Sequence, residues 1–326
     1  MEGVRVLLTG ISGFAGSALL PHLLEQGHDV RALARDRTRV ELTLESMTLE
    51  SGLDATLADF ELVIGDTLSG AGMVQAMRDV EVAYYLIHSM EPTGGGATSG
   101  ISFSARERAS AQTFADAARA AGVERIVYLG GPLPPERAST HLSSRYAVER
   151  ILLDGVPGSV ALRASIVIGA RSRSFRFLVR LIERLPIIVL PGWRHFRTCP
   201  IDERDLLEML AACASNEYVA GRALEIAGPE TLTYGELVRR IAELMMLSRP
   251  SVGLGVSVTP IAARLAAVLT DEHPELVLPL MEGLTGDLLS DGQEAATALN
   301  VELHSFDSAV EHALYEWEKR EPLAAR

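Results

Sequence analysis

Residues 4–8 form a short, largely apolar run, which predicts a strand buried on both faces of a parallel sheet. Gly10, Gly13 and Gly16 follow at once. Leu19, Leu20, Leu23 and Leu24 then fall on one helical face, in a helix that runs to Gln26 and stops at Gly27. Residues 28–34 supply a second strand, completing a βαβ unit of the ~30 residues such a unit needs. Residues 36–58 mix charge with scattered leucines, leaving a short helix and a surface segment both open. Further strands are expected at 60–64, 82–87, 125–129 and 159–164, with helices within 72–79, at 103–121 and at 142–153. A glycine-rich loop covers 93–100.

This alternation predicts an α/β fold, a Rossmann-type doubly wound parallel sheet. From Ile166 onward the alternation loosens. Helices at 175–184, 233–246 and 260–269 and short strands at 187–190 and 223–226 suit a smaller, interleaved substrate-binding lobe. The expected division gives residues 1–165 and about 200–228 to the nucleotide-binding part. The lobe takes about 166–199 and 229–326.

Composition narrows the partners. At 48% hydrophobic and 22% charged residues the chain is globular, and its net charge of −13 argues against nucleic-acid or anionic-membrane partners. The apolar stretch 251–270 is interrupted by Pro260 and Arg264 and reads as core helix and loop rather than a span. Cys199 and Cys213 provide neither a disulfide framework nor a metal-ligand set. The first strand begins too early for an export signal, so the expected location is cytoplasmic.

The glycine turn carries the candidate chemistry: backbone can approach a pyrophosphate there, at the positive end of the following helix. T-G-I-S-G-F-A-G resembles the T-G-x-x-G-x-x-G turn of extended and atypical short-chain dehydrogenases/reductases. Gly65-Asp66, A-Y-Y-L-I-H-S-M, A-G-V-E-R-I-V-Y-L-G-G and L-R-A-S-I-V-I-G follow in that family's order, over residues 4 to 230 or so. Y-Y-L-I-H-S-M and Y-L-G-G look nearest to its NmrA-like branch. The resemblance implies an NAD(P)-dependent oxidoreductase of a small molecule, with a non-catalytic dinucleotide-binding regulator as the alternative and a homodimer as a possible assembly.

By the same resemblance Gly10, Ser12, Gly13, Phe14, Gly16, Leu86, His88 and Ile166 border the cofactor. Ala34 takes the position of the usual ribose-binding acid and Arg35 follows it, which favours NADP(H) over NAD(H). Alternatively Arg31, Arg35, Arg37 and Arg39 are a solvated patch. Asp66 either accepts from adenine or caps the next helix. Ser144-Arg145, Glu149 and Leu162-Arg163 match the family's Ser-Lys, Glu and Leu-Arg spacing, which places Arg145 at the lysine of its Tyr-x-x-x-Lys pattern and His141 at the tyrosine, with Gly130-Gly131 in the serine region. His141 is then the candidate acid or base with Arg145 a ribose or phosphate contact, or else a helix-entry residue with Arg145 a surface or ribose contact, and Tyr146, four before Arg150, is the fallback. Met90, Gly131 and Trp193 are the candidate substrate contacts, and the aromatic-basic run of Trp193, His195, Phe196 and Arg197 either lines a substrate pocket or caps an anionic group, or else packs the lobe with its arginines solvated. Asp205 is expected to cap or brace a helix.

Overall fold

A computed structural model describes residues 3–51, 56–87, 102–133, 140–190, 192–253, 286–321 and 323. The predicted loop at 93–100, the helix at 260–269 and most of the stretch 251–270 lie outside the described residues.

The chain opens with β1 (Arg5–Thr9), α1 (Phe14–Glu25) and β2 (Asp29–Ala34). It continues through α2 (Arg37–Ser51), β3 (Glu61–Ile64), α3 (Met73–Ala76), β4 (Val82–Tyr85), α4 (Phe103–Ala121), β5 (Arg125–Gly130), α5 (Thr140–Gly155) and β6 (Val160–Ala164). Then come β7 (Val167–Ile168), α6 (Arg173–Arg184), β8 (Ile188–Leu190), β9 (Arg197–Thr198), β10 (Ile201–Asp202) and α7 (Glu203–Ala212). The remainder is β11 (Ala223–Ile226), β12 (Leu232–Thr233), α8 (Tyr234–Leu244), β13 (Ser251–Gly253), α9 (Gln293–Leu299) and α10 (Phe306–Glu318).

Seven strands pair in parallel in the order β11-β6-β5-β4-β1-β2-β3. Both faces are covered, which is why β1 and β4 read as nearly unbroken apolar runs. Leucines of α1, Val40 and Leu44 of α2, and Leu206, Leu207 and Leu210 of α7 close one face. Met73 of α3, Phe114 of α4, and Val148 and Leu152 of α5 close the other. No described helix is long and apolar enough to cross a membrane.

Two predicted elements end early for identifiable reasons. The fourth strand stops at Tyr85 because the Thr9 hydroxyl takes over the ladder: Leu86 N donates to Oγ1 at 3.1 Å, and Oγ1 donates to Tyr84 O at 2.8 Å. The helix within 72–79 is only one turn. Buried Arg31 donates to the carbonyls of Gln75, Ala76 and Arg78, satisfying the groups a longer helix would have used, and its Nε pairs with Glu61 at 2.7 Å. Arg31 is therefore a strut under the sheet and not part of a solvated patch.

Residues 36–58, left open on sequence, contain α2. Its signal was the buried series Val40, Leu44 and Met47, at helical spacing within a charged segment.

A separate cluster forms the lobe. Phe175, Val179 and Ile182 of α6, Leu237, Val238 and Ile241 of α8, and Val310, Leu314 and Trp317 of α10 pack together. The guanidinium carbons of Arg176 and Arg180 lie 4.8 and 5.0 Å from the Trp317 ring. Helix α8 starts in a capping box, in which Thr233 and Glu236 satisfy each other's backbone N–H groups. The division differs from the expected one in the tail, because Ala295, Ala296 and Leu299 of α9 pack on the sheet rather than in the lobe. Asp205, fully buried, ties α7 to the tail by accepting from His304 N at 2.9 Å and sharing a 2.5 Å hydrogen bond with its Nδ1.

Candidate functional site

The carboxyl ends of β1, β2, β4 and β5 share one edge of the sheet, where ligands of open α/β folds bind. Gly10 has φ +72°, and a Cβ there would lie 2.5 Å from Leu86 O. A Cβ on Gly16 would lie 2.3 Å from Gly10 O, so this contact brings α1 against the strand end. Gly13 differs. It is exposed, its N–H donates to Gly10 O at 2.8 Å, and a Cβ would meet only that oxygen at 3.1 Å. Gly13 is also the N-cap of α1, which no side chain caps. Among the described residues, nothing caps the N–H groups of the first turn at the positive end of the helix. Phe14 and Ser12 are half-buried beside them.

At the end of β2, Arg35, Arg37 and Arg39 are exposed. Asp36 is occupied as a cap: its Oδ1 accepts from Thr38 N at 2.9 Å and Arg39 N at 3.4 Å. Asp66 accepts from Leu68 N at 2.8 Å, and so caps a turn rather than the start of α3. Leu86 is half-buried, packed against the sheet cluster, and Ile166 against the lobe cluster. His88 and Met90 lie outside the described residues.

Arg145 and His141, one turn apart on α5, come together at the end of β5. Arg145 Nη2 donates to Leu129 O at 2.7 Å, and its side chain lies across Gly131, where a Cβ would sit 3.2 Å from Nε. His141 stacks on Phe103 with ring centroids 6.2 Å apart. Burial first, and the Arg145 charge second, lower the His141 pKa to about 4. The imidazole is therefore neutral at pH 7, the form that suits the base rather than the acid of the two roles expected for it. Glu149 turns both carboxylate oxygens to Arg163, at 2.6 and 3.0 Å, and Ser144 donates to Glu107 at 3.1 Å.

Tyr146 is half-buried, four residues before Arg150, whose pKa it and Asp154 raise. The other six of the seven tyrosines also have defined places. Tyr84 donates to Leu210 O, Tyr85 to Ser110 and Tyr128 to Arg145 O. Burial raises the pKa of all three. Tyr234 packs edge-on against Trp193, and Tyr218 and Tyr315 are exposed. The chain has one lysine, Lys319. A Tyr-x-x-x-Lys spacing missed on sequence, Tyr315 to Lys319, runs along the outside of α10. There Lys319 Nζ sits 4.5 Å from the Tyr315 ring centroid and pairs with Glu316 at 2.6 Å. This pair belongs to the lobe and not to the glycine turn.

Trp193 is buried in the lobe core, and among the described residues its Nε1 has no hydrogen-bond partner. The aromatic-basic run around it is dispersed. Arg194 lies over Gly253, His195 is exposed, and Arg197 forms a paired contact with Asp287 at 2.7 and 3.0 Å.

The fold and glycine turn define a Rossmann-type protein with a second lobe. The model of the NAD dependent epimerase/dehydratase family matches residues 6–153. A divinyl chlorophyllide a 8-vinyl-reductase of Zea mays is 26% identical over 247 residues, covering 72% of this chain and 59% of that protein. The match thus spans about three fifths of the relative's length. A 3-beta-hydroxysteroid dehydrogenase of Mycolicibacterium neoaurum is 30% identical over 128 residues, covering 38% of this chain and 31% of that one. Among solved structures, a Bacillus cereus UDP-glucuronic acid 4-epimerase in complex with UDP-glucuronic acid and NAD has a TM-score of 0.69 at 16% identity, covering 97% of this chain and 99% of that one. A nucleoside-diphosphate-sugar epimerase from Staphylococcus aureus has a TM-score of 0.72 at 15% identity, covering 94% and 99%. These likenesses establish the fold.

Proposed function

We propose that this protein is an NADP(H)-dependent oxidoreductase of the atypical, NmrA-like kind, acting on a small molecule without a tyrosine–lysine pair. The observation that carries the reading is the uncapped start of α1 behind exposed Gly13, at the carboxyl edge of the parallel sheet. Gly13 and the first turn of α1 would hold the pyrophosphate, and Arg35 the ribose 2′-phosphate. Asp36 uses its Oδ1 to cap the first turn of α2, and Ala34 stands where an acid would be expected on this strand. When bound, the cofactor supplies or takes up a hydride. Arg145 would bring a positive charge to the reacting centre, its side chain occupying the space that Gly131 leaves at the end of β5. The relatives' names include both a vinyl reductase and a hydroxysteroid dehydrogenase, so carbon–carbon and carbon–oxygen bonds both fall within this reading.

Calorimetry with the purified chain tests it. NADPH is expected to bind at least about tenfold more tightly than NADH, or about 1.4 kcal/mol. R35Q removes the preference and G13D abolishes both. Absence of dinucleotide binding refutes the proposal. A second reading, a non-catalytic dinucleotide-binding regulator, is favoured by the sole lysine standing on the outside of α10. Substrate-dependent NADPH oxidation separates the two.

A further inference from the structure

We infer that Ser17 is a positioning residue of the dinucleotide site: its buried hydroxyl holds, from behind, the peptide groups whose N–H bonds would meet the cofactor's pyrophosphate. The inference rests on the dinucleotide-binding reading and adds to it a residue that touches no ligand itself.

A serine is a costly choice at this position. Ser17 is the fourth residue of α1 and fully buried, on the same helical face as buried Leu20 and Pro21. Burying a hydroxyl is unfavourable unless it is hydrogen-bonded, and alanine is the better helix former. The bonds it makes are all to the glycine turn and the residue after it. Ser17 Oγ donates to Gly13 O at 2.7 Å and lies 3.2 Å from Phe14 O. Ser17 N donates to the same Gly13 oxygen at 3.1 Å.

Each carbonyl shares a rigid plane with the N–H of the following residue. The Gly13 carbonyl is thus the far end of the peptide group that carries the Phe14 N–H, and the Phe14 carbonyl the far end of the one that carries the Ala15 N–H. These two N–H groups begin α1 at the glycine turn. Holding the oxygens therefore fixes the direction in which the two N–H bonds point. Hydrogen bonds onto a carbonyl also polarise its peptide group, which makes the N–H at the other end a stronger donor to an anion.

Pro21 makes this clamp matter more. One turn further along the same face, it has no N–H to give the Ser17 carbonyl, so the ladder bond that would tie the first turn to the body of α1 at this point cannot form. The first turn then takes its orientation from two local contacts. One is Gly16, whose missing side chain lets it rest against Gly10 O, and the other is the Ser17 hydroxyl.

The test reads the cofactor's phosphates separately. Calorimetry on the full chain gives the NADP+ affinity, and phosphorus NMR at saturating NADP+ gives the bound diphosphate and 2′-phosphate resonances. S17A is expected to weaken NADP+ binding at least about fivefold. It should also move the bound diphosphate resonances back toward those of free NADP+, while the 2′-phosphate resonance, set at Arg35, keeps its wild-type position. S17C, close in volume and only a weak donor, is the second variant and changes in the same direction. Both are expected to melt within about 3 °C of wild type. A folded S17A or S17C with wild-type affinity and wild-type diphosphate resonances overturns the inference. So does a variant whose diphosphate and 2′-phosphate resonances move alike, because general damage to packing would do that. Wild type that binds no NADP+ refutes the dinucleotide-binding reading instead, so the two failures are separate.

Discussion

Glu203 should make this protein less stable as pH rises through neutrality. It is the first residue of α7, directly after the cap Asp202, and its carboxyl fills the space where Gly169 lacks a side chain: a Cβ on Gly169 would lie 2.0 Å from Oε2. Burial raises its pKa from 4.5 to about 7. Arg171, beyond β7, and Arg320, beyond α10, pull in the opposite direction, while Asp202 and Glu316 push with burial. A carboxyl with a higher pKa folded than unfolded binds more protons in the native state. Its stabilising contribution is therefore complete below about pH 4.5 and is lost as pH climbs through about 7. At about 1.4 kcal/mol per pKa unit the ionised form costs about 3 kcal/mol. Glu203→Gln keeps the shape and removes the charge. In urea melts at pH 5, 6, 7 and 8 the variant should gain progressively on the wild type, the gap approaching about 3 kcal/mol at the top of the range. A gap independent of pH, or a wild type more stable than the variant at pH 8, would refute the reasoning.

Other contacts give sharper local tests. Gly16→Ala forces a Cβ toward the Gly10 carbonyl and should cost about 2 kcal/mol or more with loss of dinucleotide binding. Gly13→Ala, where only a 3.1 Å contact stands in the way, should melt within about 1 kcal/mol of wild type while its NADPH affinity falls, as read by calorimetry. His304→Ala removes the imidazole bond to buried Asp205 and should cost about 2 kcal/mol in urea melts. Thr233→Ala breaks the capping box of α8 and should cost about 1 kcal/mol by the same measurement.

The parts of the fold legible in the sequence are those where one physical requirement acts on neighbouring residues. The strand of residues 4–8, the glycine turn and the helix behind it are local in this sense, and 223–226 appears as β11 with the bounds expected. Legibility failed where a distant group decides. Nothing near residue 76 says that α3 stops there, because the donor that stops it is Arg31, on another strand. The tail was harder again: α9 packs on the sheet through small residues, Ala295 and Ala296, which carry little hydrophobic signal of their own.

The candidate site shows the same limit in its chemistry. Spacing alone finds Tyr315-x-x-x-Lys319, the pattern of the resembling reductases, yet a four-residue spacing specifies only that two side chains share a helical face. Which helix carries that face is fixed by topology, and α10 packs in the lobe, with Tyr315 61% exposed. The register through Arg163 and Glu149 points instead to α5, and these two side chains pair in a buried bidentate contact against the end of β5. That pair holds α5 to the sheet edge, and hence the positions of His141 and Arg145 relative to the glycine turn. A motif search therefore selects the residue types of the resembling reductases on an outer face of the lobe. Register through the buried ion pair selects α5, at the carboxyl edge of the sheet, with altered residue types, and the proposed roles of His141 and Arg145 rest on that register.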